Sequence, residues 1–264
     1  MVKQAIIPLA GLGTRMLPLS KALPKELWPI GSRSILEKIL DECFDAGITQ
    51  VILVISKKKE IIKKYFSKNK SLENTIKRKS EISQILVNLN KMSKKIKFVY
   101  QDKPKGLGDA VLCAEKLIKS KYFLLILPDD IIDGYNCSKE LILLHKKKKS
   151  SVLALRQIKK KEIQRYGIVG FENTKQLKIN KMIEKPTIKS APSKFAIIGR
   201  YLLSRSIFNL LKNQKKGKLG EIQITDAMNS MLKRENFYGC KFKGKYLDCG
   251  TIKGYIKSFI EINK

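Results

Sequence analysis

The stretch Ala5-Ile6-Ile7-Pro8-Leu9-Ala10-Gly11-Leu12-Gly13-Thr14-Arg15 decides how this chain folds. A short apolar run ends directly in glycines, the pattern of a buried parallel strand whose carboxyl end turns sharply. Gly11 and Gly13 let the main chain pass close to a ligand, with N–H groups free for phosphate oxygens. Arg15 adds a planar, permanently charged fork suited to phosphate. A dinucleotide-binding turn needs Gly-x-Gly-x-x-Gly; here Met16 takes the third glycine's place, and no acidic residue ends the second strand, Val51–Ile55. A Walker loop, Gly-x-x-x-x-Gly-Lys-Ser/Thr, is absent from the sequence. An ordinary tight turn stays open as a reading, but it leaves Arg15, Lys21 and Lys25 unexplained.

Outward from this loop, strands and helices alternate. Ile35, Leu36, Ile39, Leu40, Cys43 and Phe44 recur at helical spacing, and Gly47 follows as a stop. Val51–Ile55 is a second buried strand and Glu60–Phe66 a second helix, followed by a basic helical stretch over roughly 71–95. Strand Phe98–Gln101, helix Asp109–Ile118 and strand Tyr122–Leu127 come next. Three β-α units in succession predict an α/β fold with a mostly parallel, doubly wound sheet. The second half is more mixed: strands at Val152–Leu155, Ile168–Phe171, Leu177–Ile183 and Ala196–Leu202, then helices at Ser206–Lys212, Glu221–Lys233 and Thr251–Ile262. With no Pro/Gly/Ser-rich linker and no internal repeat, one domain over residues 1–264 with an inserted substrate-binding region is the economical reading, a first part to about 130 and a second from about 131.

The charge is unusual. Lys plus Arg number 55 against 23 acidic residues, a formal net charge of +32. A nucleic-acid or anionic-surface binder is one reading. The other is lysine filling solvated positions along the whole chain, and the distribution favours it. Runs such as Lys57-Lys58-Lys59, Lys146–Lys149 and Lys159–Lys161 are scattered, while arginine, the residue of bidentate readout, occurs only at 15, 33, 78, 156, 165, 200, 205 and 234. The five cysteines are odd in number, widely spaced and without a Cys-x-x-Cys pair, which argues against disulfides and zinc. The apolar run Ala5–Leu9 is no signal segment, and stretches such as Tyr122–Leu127 are too short to span a bilayer. A soluble, cytoplasmic protein with no membrane partner and no specific nucleic-acid partner is expected.

Further pieces point to chemistry. Gly106-Leu107-Gly108 precedes a helix, as a plain turn or as a bed for a base or sugar. Asp129 and Asp130 follow the strand Tyr122–Leu127, off the edge where open α/β sheets bind ligands. Carboxylates there suit Mg²⁺, though Asp-Asp also caps turns; Asp248, beside Cys249-Gly250, is a second candidate. Glu184-Lys185-Pro186 suits sugar hydroxyls and a sugar phosphate, or is a surface pair before a proline turn. The single His145 reads as a solvated helix-end residue without a catalytic role.

Together and in order, IPLAGLGTRMLP (Ile7–Pro18), KALPKE (Lys21–Glu26), GLGDAVLC (Gly106–Cys113), LPDD (Leu127–Asp130), YGIV (Tyr166–Val169), Glu184–Pro186, IGRYLL (Ile198–Leu203), GEIQITDA (Gly220–Ala227) and DCGTIKGY (Asp248–Tyr255) resemble the bacterial UDP-glucose pyrophosphorylase family of sugar nucleotidyltransferases. The resemblance runs over essentially the whole chain. Ala-Gly-Leu-Gly-Thr-Arg with Pro-Lys-Glu looks like the UTP-using branch; thymidylyltransferases typically carry Gly-Gly-x-Gly-Thr-Arg and Ser-Lys-Gln. It implies a Rossmann-like nucleotidyltransferase fold, a mixed, mostly parallel sheet flanked by helices, and transfer of a uridylyl group from UTP to glucose-1-phosphate. By the same resemblance Ala10, Gly11, Gln101 and Gly106 would face uracil and ribose; Gly13, Thr14, Arg15 and Lys25 would hold the triphosphate. Asp129 would bind Mg²⁺ with Asp248 beside it, Gly167 and Glu184 would hold glucose hydroxyls, and Lys185 would sit between the reacting phosphates.

The sequence departs from the family pattern at four places. Gly31-Ser32-Arg33-Ser34 replaces a Val-Asp-Lys-Pro-like stretch, Trp28 replaces an aliphatic residue, and Asp109 stands where His is frequent. The chain stops soon after Tyr255, where many relatives carry a longer tail that can contribute to subunit contacts; a homo-oligomer, dimer or tetramer, is still implied. The rival readings are a non-catalytic, nucleotide-binding regulatory paralogue and a basic nucleic-acid-binding protein. The first predicts loss of the charged phosphate contacts, yet Arg15, Lys25, Asp129 and Lys185 are all present; the second predicts salt-resistant, sequence-selective binding.

Overall fold

Alternation along one five-residue strand places the sheet between two layers. In β1 (Gln4–Pro8), Ala5 and Ile7 pack into one core and Ile6 into the other, because successive side chains of a strand point to opposite faces. The computed structural model describes residues 1–76, 81–214 and 220–264. After β1, a small ribbon of β2 (Pro29–Ile30) and β3 (Arg33–Ser34) leads into helix α1 (Ile35–Asp45), then β4 (Gln50–Ile55) and α2 (Glu60–Tyr65). Within 71–95 lie two helices, α3 (Lys70–Thr75) and α4 (Glu81–Ser93), with residues 77–80 outside the described residues. β5 (Ile96–Tyr100), α5 (Leu107–Cys113), β6 (Tyr122–Ile126), β7 (Asp130–Asp133) and α6 (Cys137–Lys148) complete the first half. The second half runs β8 (Ser151–Gln157), β9 (Gly167–Asn173), β10 (Lys178–Glu184), β11 (Phe195–Ser204), α7 (Ile207–Asn213), α8 (Ile224–Met231), β12 (Phe237–Lys241), β13 (Lys245–Asp248) and α9 (Ile252–Ile262).

Nine strands form one sheet in the order β5-β4-β1-β6-β11-β8-β12-β10-β9. The sheet is mixed, as expected, but its parallel share is smaller than the sequence suggests. β5, β4, β1 and β6 are mutually parallel and β12 is parallel to β8; the other pairings of the second half are antiparallel. Only the first half alternates strand with helix, and a parallel pair needs such a crossover. Buried residues of α1, α2 and α6 belong to one core, and those of α5, α7 and α8 to the other.

Chain order reverses beside β1. From it the chain steps outward through β4 to β5, then returns to place β6 on its other flank. The crevice off the carboxyl ends of β1 and β6 is the switch point of the sheet, the place where open α/β folds bind ligands. A second ribbon, β7 with β13, folds near this crevice and ends with Asp248 opposite Asp130.

The departures from the family pattern take ordinary local forms. Gly31 adopts a left-handed φ of 66° in the turn between β2 and β3, and Ser34 caps α1 in a reciprocal pair with Glu37. Trp28 is buried, donates from Nε1 to the Leu23 carbonyl at 3.2 Å and meets the Tyr255 ring edge-on at 5.2 Å. Two expectations about solvated residues are corrected. Lys59 is buried, its ammonium 2.9 Å from both oxygens of Glu26. His145 is half-buried, its ring 4.3 Å from that of Tyr122 and its Nδ1 2.9 Å from the Ser150 carbonyl; α6 continues to Lys148 and folds His145 against the sheet.

Candidate active site

The first glycine loop leaves β1 between two anchors. Leu9 N–H donates to the Val54 carbonyl at 2.7 Å, and Met16 is fully buried, so the residues between are held at the crevice mouth. Gly13 has φ of 68°, which an L side chain would strain, and its carbonyl accepts from the Ser20 hydroxyl at 2.8 Å. Thr14 and Arg15 follow in a short 3₁₀ turn with their side chains exposed. Ala10, Gly11, Gly13, Thr14 and Arg15 line a crevice of about 740 Å³. Gln101, Gly106, Asp129, Gly167, Glu184, Lys185 and Asp248 line the same crevice, and Lys25 lines an adjoining recess with Gly11, Gly13 and Asp129. Every site residue read from the sequence is thus brought to one place, from a span of more than 200 residues.

Asp129 sits just past β6, with the Lys25 ammonium at 2.5 Å and the Arg15 guanidinium at 3.4 Å, both on Oδ2. Asp248 ends β13, accepts from Gly250 N–H at 2.8 Å and pairs with Arg165 at 3.2 Å. The two carboxylates face one another across Gly250. A β-carbon there would lie 3.1 Å from Asp129 Oδ2 and 3.1 Å from Asp248 Oδ1. Two opposed carboxylates fit a hard divalent cation that takes its remaining ligands from substrate phosphates and water. Among the described residues no cluster of three or more His, Cys, Asp and Glu side chains is arranged to enclose a metal by itself. Beside them Asp130 accepts from the Tyr246 hydroxyl at 2.6 Å and Gly199 N–H at 2.8 Å. Burial pushes the Asp130 carboxyl above its ordinary range, the Tyr246 bond opposes this, and the Asp129 charge adds to it.

At the other end of the crevice, Glu184 closes β10 and accepts the Thr225 hydroxyl at 2.7 Å on Oε2. Gly167 lies against it: an added β-carbon would be 3.2 Å from Glu184 Oε2. Lys185 is held at φ of 44° by its N–H bond to the Tyr166 carbonyl at 3.1 Å, and its exposed ammonium stands 3.7 Å from Glu184. A non-glycine residue in the left-handed region is uncommon and here turns the lysine back over the crevice.

Gln101 is buried and orients the second glycine loop, donating to the Gly106 carbonyl at 3.2 Å and to Asp109 at 2.8 Å. Asp109, another departure from the family pattern, therefore acts as an acceptor for Gln101. Gly106 has φ of 96°, and a side chain there would press within 3.0 Å of the Ile222 carbonyl. Gly108 N–H donates to that carbonyl at 2.8 Å, so the loop is stitched to the segment before α8.

Lining residues that were not singled out from the sequence include Arg165, Tyr201, Thr225 and Tyr246. Arg165 and Thr225 act on Asp248 and Glu184 from far along the chain, so no local spacing marks them. Their neighbours do offer a signal, since Arg165 precedes YGIV and Thr225 lies within GEIQITDA.

Comparison with known proteins agrees with this fold. The nucleotidyl transferase family model matches residues 4–264. A UTP–glucose-1-phosphate uridylyltransferase of Bacillus subtilis is 36% identical, covering 98% of this chain and 90% of that protein. One of Pseudomonas aeruginosa is 34% identical, covering 98% and 95%. An apo UDP-glucose pyrophosphorylase structure superposes with a TM-score of 0.91 at 34% identity, covering 100% of this chain and 98% of that one. A UDP-glucose pyrophosphorylase complexed with UDP-glucose has a TM-score of 0.88 at 33% identity, covering 100% and 99%.

Proposed function

The chain belongs to the nucleotidyl transferase family, and on that premise we propose that it transfers a uridylyl group from UTP to glucose-1-phosphate, giving UDP-glucose and pyrophosphate. One observation carries the reading: two glycine loops, two opposed carboxylates and the Glu184–Lys185 pair converge on a single crevice at the switch point of the sheet. The chain works as one unit, a reading supported by the unbroken nine-stranded sheet. Among the described residues no helix is long and apolar enough to cross a membrane.

The attacking group is the phosphate of glucose-1-phosphate, whose second ionisation lies at about 6, so it arrives as a dianion and needs no general base. Its oxygen bonds to the α-phosphorus of UTP while the bond from that phosphorus to the bridging oxygen breaks, and pyrophosphate leaves in line. The obstacle is the approach of two anions. Lys185, over the crevice beside Glu184, stands between the reacting phosphates and lowers that repulsion. Arg15 and Lys25 hold the leaving pyrophosphate, with the main-chain N–H groups around Gly13 and Thr14. Ala10, Gly11, Gln101 and Gly106 hold uracil and ribose, where the absence of side chains at the glycines lets the ring lie on the backbone. Glu184 and the Gly167 main chain hold glucose hydroxyls, with Thr225 fixing the carboxylate.

Members of this family work with a divalent metal, and we assign it to Mg²⁺ held by Asp129 and Asp248. The fit rests on the two opposed carboxylates; when bound, the ion neutralises phosphate charge at the reacting centre. Binding it requires Lys25 and Arg15 to share Asp129 with the ion or turn toward the phosphates. The non-catalytic alternative requires lost phosphate contacts, whereas Arg15, Lys25, Asp129 and Lys185 are assembled here. The test is pyrophosphate release by the purified protein with Mg²⁺, comparing UTP, dTTP, CTP and ATP, each with glucose-1-phosphate and then galactose-1-phosphate. UTP with glucose-1-phosphate is expected to be the best pair, and no turnover with it would sink the assignment.

A further inference from the structure

Among the described residues Arg200 is the largest fully buried side chain, and none of the chemistry above uses it. It leaves β11 on the face opposite its neighbours in the crevice wall and meets Glu42 of α1 as a fork, Nε to Oε1 at 3.1 Å and Nη2 to Oε2 at 2.7 Å. Its third nitrogen turns the other way. Nη1 donates to the Asp130 carbonyl at 2.5 Å and to the Leu127 carbonyl at 3.3 Å. Those two carbonyls bracket Pro128 and Asp129. Glu42 is itself fixed by Ser138, whose hydroxyl and N–H donate to Oε1 at 2.6 Å and 3.0 Å.

A buried arginine–glutamate pair is a poor way to gain stability, because removing two charges from water costs about as much as their attraction returns, and apolar side chains of similar volume often do better. Its geometry here serves something else. We propose that the Arg200–Glu42 pair is a positioning device for the metal site: it locks the turn 127–130 so that Asp129 meets Asp248 across Gly250. The main-chain groups of that turn are otherwise held by single bonds, Leu127 N–H to the Gly199 carbonyl at 2.8 Å and Cys249 N–H to the Asp129 carbonyl at 2.7 Å. Its carboxylates are held by Gly199 N–H and the Tyr246 hydroxyl on Asp130 and by Lys25 and Arg15 on Asp129. Among the described residues, Arg200 is the side chain that ties the carbonyls at both ends of the turn to α1. Removing it leaves Asp129 with its charge but without a fixed place.

This inference rests on the assignment of Asp129 as a metal ligand, and the experiment separates the two. Calorimetric titration with UTP, without sugar phosphate, is run with and without Mg²⁺ on four proteins: the native chain, Asp129→Asn, Arg200→Lys, and the double variant Glu42→Leu with Arg200→Met. The native chain is expected to bind UTP more tightly with Mg²⁺. Asp129→Asn should lose that gain. The Arg200 variants should lose about tenfold or more of it, the usual scale for a partner that orients a metal ligand, with metal-free UTP affinity unchanged. The double variant guards against simple failure to fold, since it removes both buried charges together and leaves neither unpaired; its thermal midpoint at or above the native one, with the metal gain gone, is the strongest support. A native gain in the folded double variant overturns the inference, as does an equal loss of metal-free affinity, which would show a general collapse of the crevice. A native gain in Asp129→Asn overturns the metal assignment and the inference with it.

Discussion

Lys25 and Asp129 form an ion pair 2.5 Å apart at the mouth of the crevice, and at the other end Lys185 stands with its exposed ammonium 3.7 Å from Glu184. At this scale the roles can be separated. Asp129→Asn keeps the shape but loses the charge that holds both cation and lysine; Lys185→Ala removes the charge between the phosphates. Each is expected to lower kcat by two to three orders of magnitude, about 3–4 kcal/mol of transition-state stabilisation, read from initial rates of pyrophosphate release. Near-native rates would mean the residue is misassigned. Thr225→Val keeps the shape and removes the hydroxyl bond to Glu184. The KM for glucose-1-phosphate should rise about tenfold, equivalent to about 1.4 kcal/mol, with the KM for UTP unchanged. Steady-state kinetics with each substrate varied in turn would discard this role if both constants moved together.

Elements were legible where one period dominates. β1, β4 and β6 rest on short apolar runs, and α1 announces itself by its apolar stripe, whereas its Ser34–Glu37 cap emerged only in the structure. The cap is testable at this scale. Ser34→Ala removes the hydroxyl that accepts Glu37 N–H at 3.2 Å and should cost about 1 kcal/mol, read from the urea midpoint, with kinetics unchanged because Ser34 is not in the crevice. A neutral midpoint would mean the cap is replaced by water. The ribbon of β7 and β13 was not legible. Asp130–Asp133 and Lys245–Asp248 are four residues each and pair across more than a hundred positions, so neither has a local signal strong enough to stand alone. That ribbon nonetheless delivers Asp248 to the site.

For the whole molecule, charge sets two expectations. The +32 net charge should make the protein bind any polyanion at low salt, with affinity falling by orders of magnitude between about 50 and 200 mM salt and no preference for sequence. Retention on DNA columns that survives higher salt or depends on sequence would revive the nucleic-acid reading. The second concerns acid. Burial raises the Glu42 carboxyl, but the Arg200 charge and the bonds from Arg200 and Ser138 outweigh it, so the group ends below its ordinary value of 4.5. A carboxyl lowered by folding stabilises the native state above its unfolded value, and that stabilisation is lost as pH falls through the folded one. The thermal midpoint should therefore drop steeply below about pH 4.5, and less so in the Glu42→Leu, Arg200→Met variant; parallel profiles would show that other carboxylates dominate acid unfolding.

By itself the sequence determined the α/β class, the loop after the first strand and the residue types that chemistry with nucleotide and sugar phosphates requires, because each is written in a local pattern: apolar runs, glycines where no side chain fits, a carboxylate just past a buried strand. Tertiary structure alone decided which of those residues meet. Asp129 faces Asp248 because a ribbon of two short strands brings residue 248 back to residue 130. Glu184 has one orientation because Thr225, on a different element, donates to it. Arg200 is buried against Glu42 although nothing near either residue in the chain predicts the pair. Local periodicity reports how a segment buries its own surface; it carries no information on which distant polar group will satisfy a buried charge, and that choice is made only when the layers close.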